Sequence, residues 1–111
     1  MTLQLHKASN PENNMIGCLL LDPGCVVEVL DIVKPDMLRD EKNRQIYQVV
    51  VRAFETKETL DMIDIQEKTQ IAASYLTAIA DQVISAAKVE KYAKTVRDRY
   101  LRRTIYQGVA K

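Results

Sequence analysis

Residues 85–111, SAAKVEKYAKTVRDRYLRRTIYQGVAK, hold the pattern around which the rest of the chain is organised. Val89, Tyr92, Ala93, Val96 and Tyr100 recur at spacings of three and four, which lines them along one stripe of a helix. Beyond Tyr100 the apolar positions shift, and Leu101, Ile105 and Val109 form a second i, i+4 row rotated away from the first. One long helix is therefore predicted to bury different faces along its two halves. The stretch holds eight of the sixteen Lys and Arg residues but only two acids, Glu90 and Asp98, so it carries +6 against −5 for residues 1–84.

What this helix is attached to follows from length and composition. A chain of 111 residues makes one domain with a modest core and needs no disulfide or structural metal. With 47% hydrophobic and 28% charged residues it reads as a soluble globular protein. No apolar run approaches the ~18 residues of a membrane span, and the opening MTLQLHKASN lacks the apolar stretch of a signal peptide, so a cytoplasmic location and no membrane partner are expected. Cys18 and Cys25 flank Asp22-Pro23-Gly24, and His6, the one histidine, has no metal-ligand spacing to either. Both thiols are expected to be small buried hydrophobes.

Read from the start, residues 1–9 are a polar lead-in, residues 10–84 a helical head and residues 85–111 the long helix. Asn10-Pro11-Glu12 opens a helix with Asn as cap, Pro in the first turn and an acid beside it; Met15, Ile16, Leu19 and Leu20 give it an apolar stripe. Gly17 interrupts that stripe at a helix cost of about 1 kcal/mol, which points to close approach of another element. After Asp22-Pro23-Gly24 a second helix, apolar nearly all round, is predicted through Val26, Val27, Val29, Leu30 and Val33, ending at Lys34-Pro35. Residues 36–39 form a connector. Asp40 caps a third helix with Ile46, Tyr47, Val50, Val51 and Phe54 on its buried side. Asp61 caps a short fourth helix running to about Thr69, and Ile71, Tyr75, Leu76 and Ile79 mark a fifth, interrupted near Ile84-Ser85. The expected fold is all-α, a compact bundle of about six helices with short connections.

Chemistry is sparse. Three glycines, Gly17, Gly24 and Gly108, build no phosphate-cradling loop, so no Walker A motif is present and no nucleotide cofactor is expected in this stretch. No serine or cysteine has a histidine placed to activate it, and the carboxylate pairs Asp61/Asp64 and Glu55/Glu58 sit at the i, i+3 spacing of any charged helix surface. No catalytic residue and no metal ligand is assigned.

Interaction remains. The run Lys91, Lys94, Arg97, Arg99, Arg102 and Arg103 spreads around the helix with no base-reading side chains beside it, and reads better as a solvated or ion-paired surface than as a phosphate track. Tyr92, Tyr100 and Tyr106 have the spacing of packing residues more than of stacking platforms. The row Leu101, Ile105 and Val109, flanked by Arg102 and Arg103, is the candidate partner or oligomer interface, since an apolar row past the end of a head wants a second helix; packing of the same row within the chain is the equal alternative.

An ordered set of short segments then resembles the N-terminal domain of bacterial and phage replicative DNA helicases of the DnaB type. Pro11-Glu12 before MIGCLLLD (residues 15–22) is similar to the family's acid followed by LGxLLLD. NRQIY (43–47) is similar to its NRxIY segment, and LDMIDI (60–65) to PIDLVTL. Tyr75-Leu76, Ser85-Ala86-Ala87, Tyr92-Ala93, Val96-Arg97 and Arg103 together resemble its YL, SAANI and YAxIVRExxxxR run. Lys88 replaces the family's usual Asn, and Thr59 stands before Leu60 where the family has Pro.

The resemblance implies a non-catalytic module of an ATP-driven hexameric helicase. In that family the long helix continues into a helical hairpin, a linker and an ATPase domain that holds ATP and Mg, so residues 85–111 would be the first arm of a truncated hairpin. It implies partners in other helicase subunits, a primase and in some members a helicase loader, with DNA engaged only through the full-length ring. The rival readings are a small DNA-binding protein that uses the basic helix directly, and a stand-alone factor that mimics this helicase domain.

Overall fold

The structure, a computed structural model, describes residues 10–110, with side chains as far as Ile105. The expected lead-in, the side chains of Tyr106 and Val109, and Lys111 lie outside the described residues. All regular structure among the described residues is helical, namely five α-helices and two 3₁₀ turns. The helices are α1 (Pro11–Leu21), α2 (Glu41–Thr56), α3 (Met62–Thr69), α4 (Ala73–Ala80) and α5 (Val89–Ala110).

Local chemistry explains where they begin. Asn10 caps α1 by accepting the Asn13 N–H at 3.2 Å, and Asp40 caps α2 by accepting the Lys42 N–H at 2.8 Å. Asp61 and Asp64 form a capping box at the start of α3, with reciprocal bonds of 2.8 and 3.1 Å. That pair thus has a structural task, in keeping with its i, i+3 spacing. Lys57 ends α2 and Gln70 ends α3, each in the left-handed conformation at φ 62°.

Around α1 the core closes on every side. Met15 to Leu20 are six consecutive buried residues, a wider face than the predicted stripe, because α5, α4 and α2 all pack on this helix. The Gly17 expectation is met in atomic terms. A Cβ at that position would lie 2.7 Å from the Ile79 carbonyl oxygen and 3.2 Å from Val83 Cγ2, so the missing side chain is what lets the end of α4 rest on α1.

Two expectations are corrected. The predicted helix over residues 26–33 is a 3₁₀ turn, Pro23–Glu28, followed by further turns. At three residues per turn Val26 and Val29 stack on one side and are fully buried, while Val27 faces solvent. β-Branched side chains at 26, 27, 29, 32 and 33 crowd an α-helix, and the tighter turn satisfies both burial and rotamer. Tyr47 of α2 holds the end of this segment by donating its hydroxyl proton to the Val33 carbonyl at 2.6 Å. Burial pushes that hydroxyl up to about 12. The second correction concerns α2, where Val51 is half-buried and Phe54 is 42% exposed.

Both cysteines are buried and free, as expected of small hydrophobes. Burial raises the Cys18 thiol and pushes Cys25 up to about 12, so neither is a thiolate near neutrality.

Candidate interaction site

Antiparallel packing of α5 on α1 positions the site. At one end the Cys18 thiol points to the Ser85 carbonyl at 3.6 Å; at the other, Asn10 to Asn13 share a groove with Val96, Arg99 and Arg103. Along α5 the stripe Val89, Ala93 and Val96 is sealed against the core, with Tyr92 and Tyr100 half-buried. Helix geometry extends that stripe from Tyr100 to position 103. Arg103 lies there half-buried, its guanidinium 5.9 Å from the Tyr100 ring centre and 3.4 Å from the Met37 carbonyl.

The candidate set therefore divides. Leu101 is about 100° around the helix from Tyr100, and Leu101 and Ile105 are 45% and 64% exposed. Arg102 is exposed beside them, whereas Arg103 faces the head. Val109 falls in register with Leu101 and Ile105, but its side chain lies outside the described residues. At 1.5 Å per residue, α5 runs on for roughly 15 Å beyond Tyr100.

At the root of this projection lies the groove, with a volume of about 420 Å³. Met37 and Val96 contribute apolar lining, and Arg39, Arg99 and Arg103 supply three guanidinium groups. The two carboxylates beside them are turned to other work. Glu12 accepts from the Arg39 N–H at 2.7 Å, the Asp40 N–H at 3.0 Å and Asn43 Nδ2 at 2.9 Å, and Asp40 caps α2. Neither Arg39 nor Arg99 has a carboxylate within ion-pair distance among the described residues.

Asn43, the one fully buried polar side chain among the described residues, is the hub behind the groove. Its amide donates to Glu12 and, at 2.7 Å, to Asn13 Oδ1, and its oxygen accepts the Tyr75 hydroxyl at 2.9 Å. One side chain thus ties the starts of α1 and α2 to α4, which holds the groove walls in register. Burial, with smaller contributions from Asp40 and Glu12, pushes Tyr75 up to about 12, so it stays a donor through the neutral range. Sequence reading missed this network, because its partners lie 30 to 32 residues apart. The acid in the first turn of α1 and the Asn in NRQIY were its only visible signs.

No group of three or more His, Cys, Asp or Glu side chains is placed to hold a metal among the described residues, and no described helix is long and apolar enough to cross a membrane. The arrangement is suited to binding another macromolecule through a protruding helix and the groove at its base.

The chain is similar in sequence to known replicative helicases. The replicative DNA helicases DnaB of Rhodothermus marinus and of Geobacillus stearothermophilus are each 28% identical over 102 and 103 residues, 85% of this chain but only 11% and 23% of their own lengths. The chain thus spans less than a quarter of either relative. In three dimensions it superposes on the N-terminal domain of DnaB helicase from Mycobacterium tuberculosis with a TM-score of 0.81 at 21% identity, covering 91% of this chain and 78% of that one. The N-terminal domain of DnaB helicase from Helicobacter pylori, solved with attention to its interactions with primase, gives 0.76 at 20% identity over 98% and 90% of the two chains. These two likenesses establish the all-α fold. Residues 4–98 match the DnaB-like helicase N-terminal domain family, a span that holds the head and the packed half of α5 and stops short of Leu101. By that match the chain belongs to the DnaB-like helicase N-terminal domain family.

Proposed function

We propose that this chain is the non-catalytic N-terminal module of a hexameric, ATP-hydrolysing replicative DNA helicase of the cytoplasm. It would serve to assemble subunits into a collar and to dock a primase, with a helicase loader as a further partner. ATP and Mg would belong to the parent's C-terminal domain, and DNA would be engaged by the complete ring. The observation that carries this reading is the projection of α5 beyond the head with Leu101 and Ile105 exposed, at 45% and 64%. An apolar row on a protruding helix is stabilised by a facing helix, each side chain worth up to about 1.5–3 kcal/mol when fully covered. The Helicobacter pylori domain's interactions with primase support the docking half of the proposal.

The test is Ile105→Asp in a longer chain that carries the complete hairpin. Sedimentation velocity is expected to show loss of the assembled species. An unchanged hexamer would rule the row out as a subunit seam. The DNA-binding alternative separates cleanly, because binding through six phosphates would weaken steeply with salt, whereas the collar module should hold neither duplex nor single strand at physiological ionic strength.

A further inference from the structure

In the groove at the root of α5 the anions are satisfied and the cations are not. Arg39, Arg99 and Arg103 line it together, and no lysine does among the described residues, although the chain has nine lysines to seven arginines. Arg99 and Arg103 stand one turn apart on α5, about 6 Å along its axis, while Arg39 comes from the connector before α2. Where an acid is within reach the fold uses it: Arg44, at the start of α2, pairs with Glu41 and donates to the Leu38 carbonyl at 2.8 Å. The arginines of the groove have no such partner among the described residues. Glu12 is held by two backbone N–H groups and Asn43, and Asp40 caps α2. Arg103 makes one bond of 3.4 Å to the Met37 carbonyl, which leaves most of its five N–H donors open. Residues 1–9 and 106–111 contain no Asp or Glu, so the flanking segments bring no carboxyl side chain to neutralise the groove.

We propose that this groove binds a diphosphate group, free or as part of a nucleotide. Guanidinium forks match phosphate oxygens in bidentate fashion, which favours arginine over lysine at such a site. One phosphoryl group offers three oxygens and is covered by two forks, so the third fork calls for a second phosphoryl group. The start of α1, Asn10 to Asn13, forms part of the same wall, and the positive end of that 11-residue helix adds to the attraction. A compact ligand is favoured over an extended acidic peptide, because a chain laid along the groove would pass the carboxylates of Glu12 and Asp40. At about 420 Å³ the groove falls within the size of small-ligand sites, about 300–1,000 Å³. For a nucleotide, Met37 and Val96 offer the base an apolar surface. The bound anion joins the connector before α2 to α5 and so braces the arm at the point where it leaves the head. The site is independent of Leu101 and Ile105, neither of which lines it.

The experiment is isothermal titration calorimetry of this chain with pyrophosphate, without added metal, at an ionic strength of about 150 mM, where loose surface attraction is screened. One saturable site with Kd below about 1 mM is expected, with orthophosphate about tenfold weaker or more. Arg39→Gln and Arg99→Gln should each weaken binding about tenfold, the effect of losing a charge-assisted contact, and Arg39→Lys should not restore it. Arg52→Gln, on α2 outside the groove, should bind as the parent does. Arg39, Arg52 and Arg99 are all exposed, so circular dichroism of each variant should match the parent. A parallel titration with ADP separates the two sources: tighter binding than pyrophosphate makes the ligand a nucleotide, and binding no tighter makes it the diphosphate group alone. No binding of pyrophosphate at about 5 mM, an equal loss in Arg52→Gln, or tighter capture of a glutamate-rich peptide or a single-stranded oligonucleotide overturns the proposal. Each of these leaves the assembly reading of α5 untouched.

Discussion

Along the first half of α5, Val89, Ala93 and Val96 are no more than 5% exposed, whereas Leu101 and Ile105, equally apolar and on the same helix, are 45% and 64% exposed. Helical periodicity alone separates them. The first set lies on the stripe that faces α1, and the second begins about 100° around the helix, just where the head ends. The same residue class thus does two jobs within one element. In the root it closes a core; in the tip it presents a surface. Substitutions with opposite expected consequences follow for the two halves.

The largest effect should come from breaking the root. Val89→Asp puts a carboxylate at a position with no exposed surface and no basic partner in the core, so the variant should lose about 4 kcal/mol of unfolding free energy by urea denaturation. Domains of this size hold roughly 5–15 kcal/mol in all, so roughly a quarter to four-fifths of the stability would be lost. A loss below about 1 kcal/mol would mean that the root is not sealed against α1.

A second effect, smaller and of mixed sign, tests the end of the head where the root begins. Gly17→Ala gains about 1 kcal/mol of helix propensity but drives a methyl group to 2.7 Å from the Ile79 carbonyl oxygen. The clash is with backbone, which yields less readily than a side chain, and overpacking of this kind costs about 1–3 kcal/mol. Net destabilisation of about 1 kcal/mol is expected, read as a lowered urea midpoint with an unchanged slope. Stabilisation would show that α4 moves away freely from α1.

How far these regions were readable from sequence depends on how local their causes are. The caps at Asn10, Asp40 and Asp61 act over two or three residues and were visible in the order of the letters. So was the stripe of the root, and so was the break after Tyr100. The turn over residues 23–28 was misread because i, i+3 spacing fits both a 3₁₀ turn and an α-helix, and only the crowding of β-branched side chains distinguishes them. Phe54 continues the periodicity of α2 from Val50, yet the buried stripe passes through Ala53, 4% exposed, and leaves Phe54 at its edge. The arginine groove and the Asn43 network were out of reach altogether. Arg39 meets Arg99 and Arg103, and Glu12 meets Asn43, only because α1, α2 and α5 come together at one end of the bundle. Nothing local in the chain announces that meeting.

The smallest effect belongs to the tip, and it discriminates most sharply. Leu101→Ser with Ile105→Ser removes two apolar side chains from the helix that closes the core, which by composition alone would suggest a loss of several kcal/mol. Both are exposed, Ile105 more than Leu101, so little burial is lost, and helix propensity accounts for only a few tenths of a kcal/mol per site. Unfolding of the isolated chain should therefore shift by no more than about 0.5–1 kcal/mol. A larger loss would mean that the tip folds back on the head, and would remove it as an assembly surface. If the shift is as small as expected, the fold does not need these two residues to be apolar. Their apolar character is then left free for the subunit contact proposed for them.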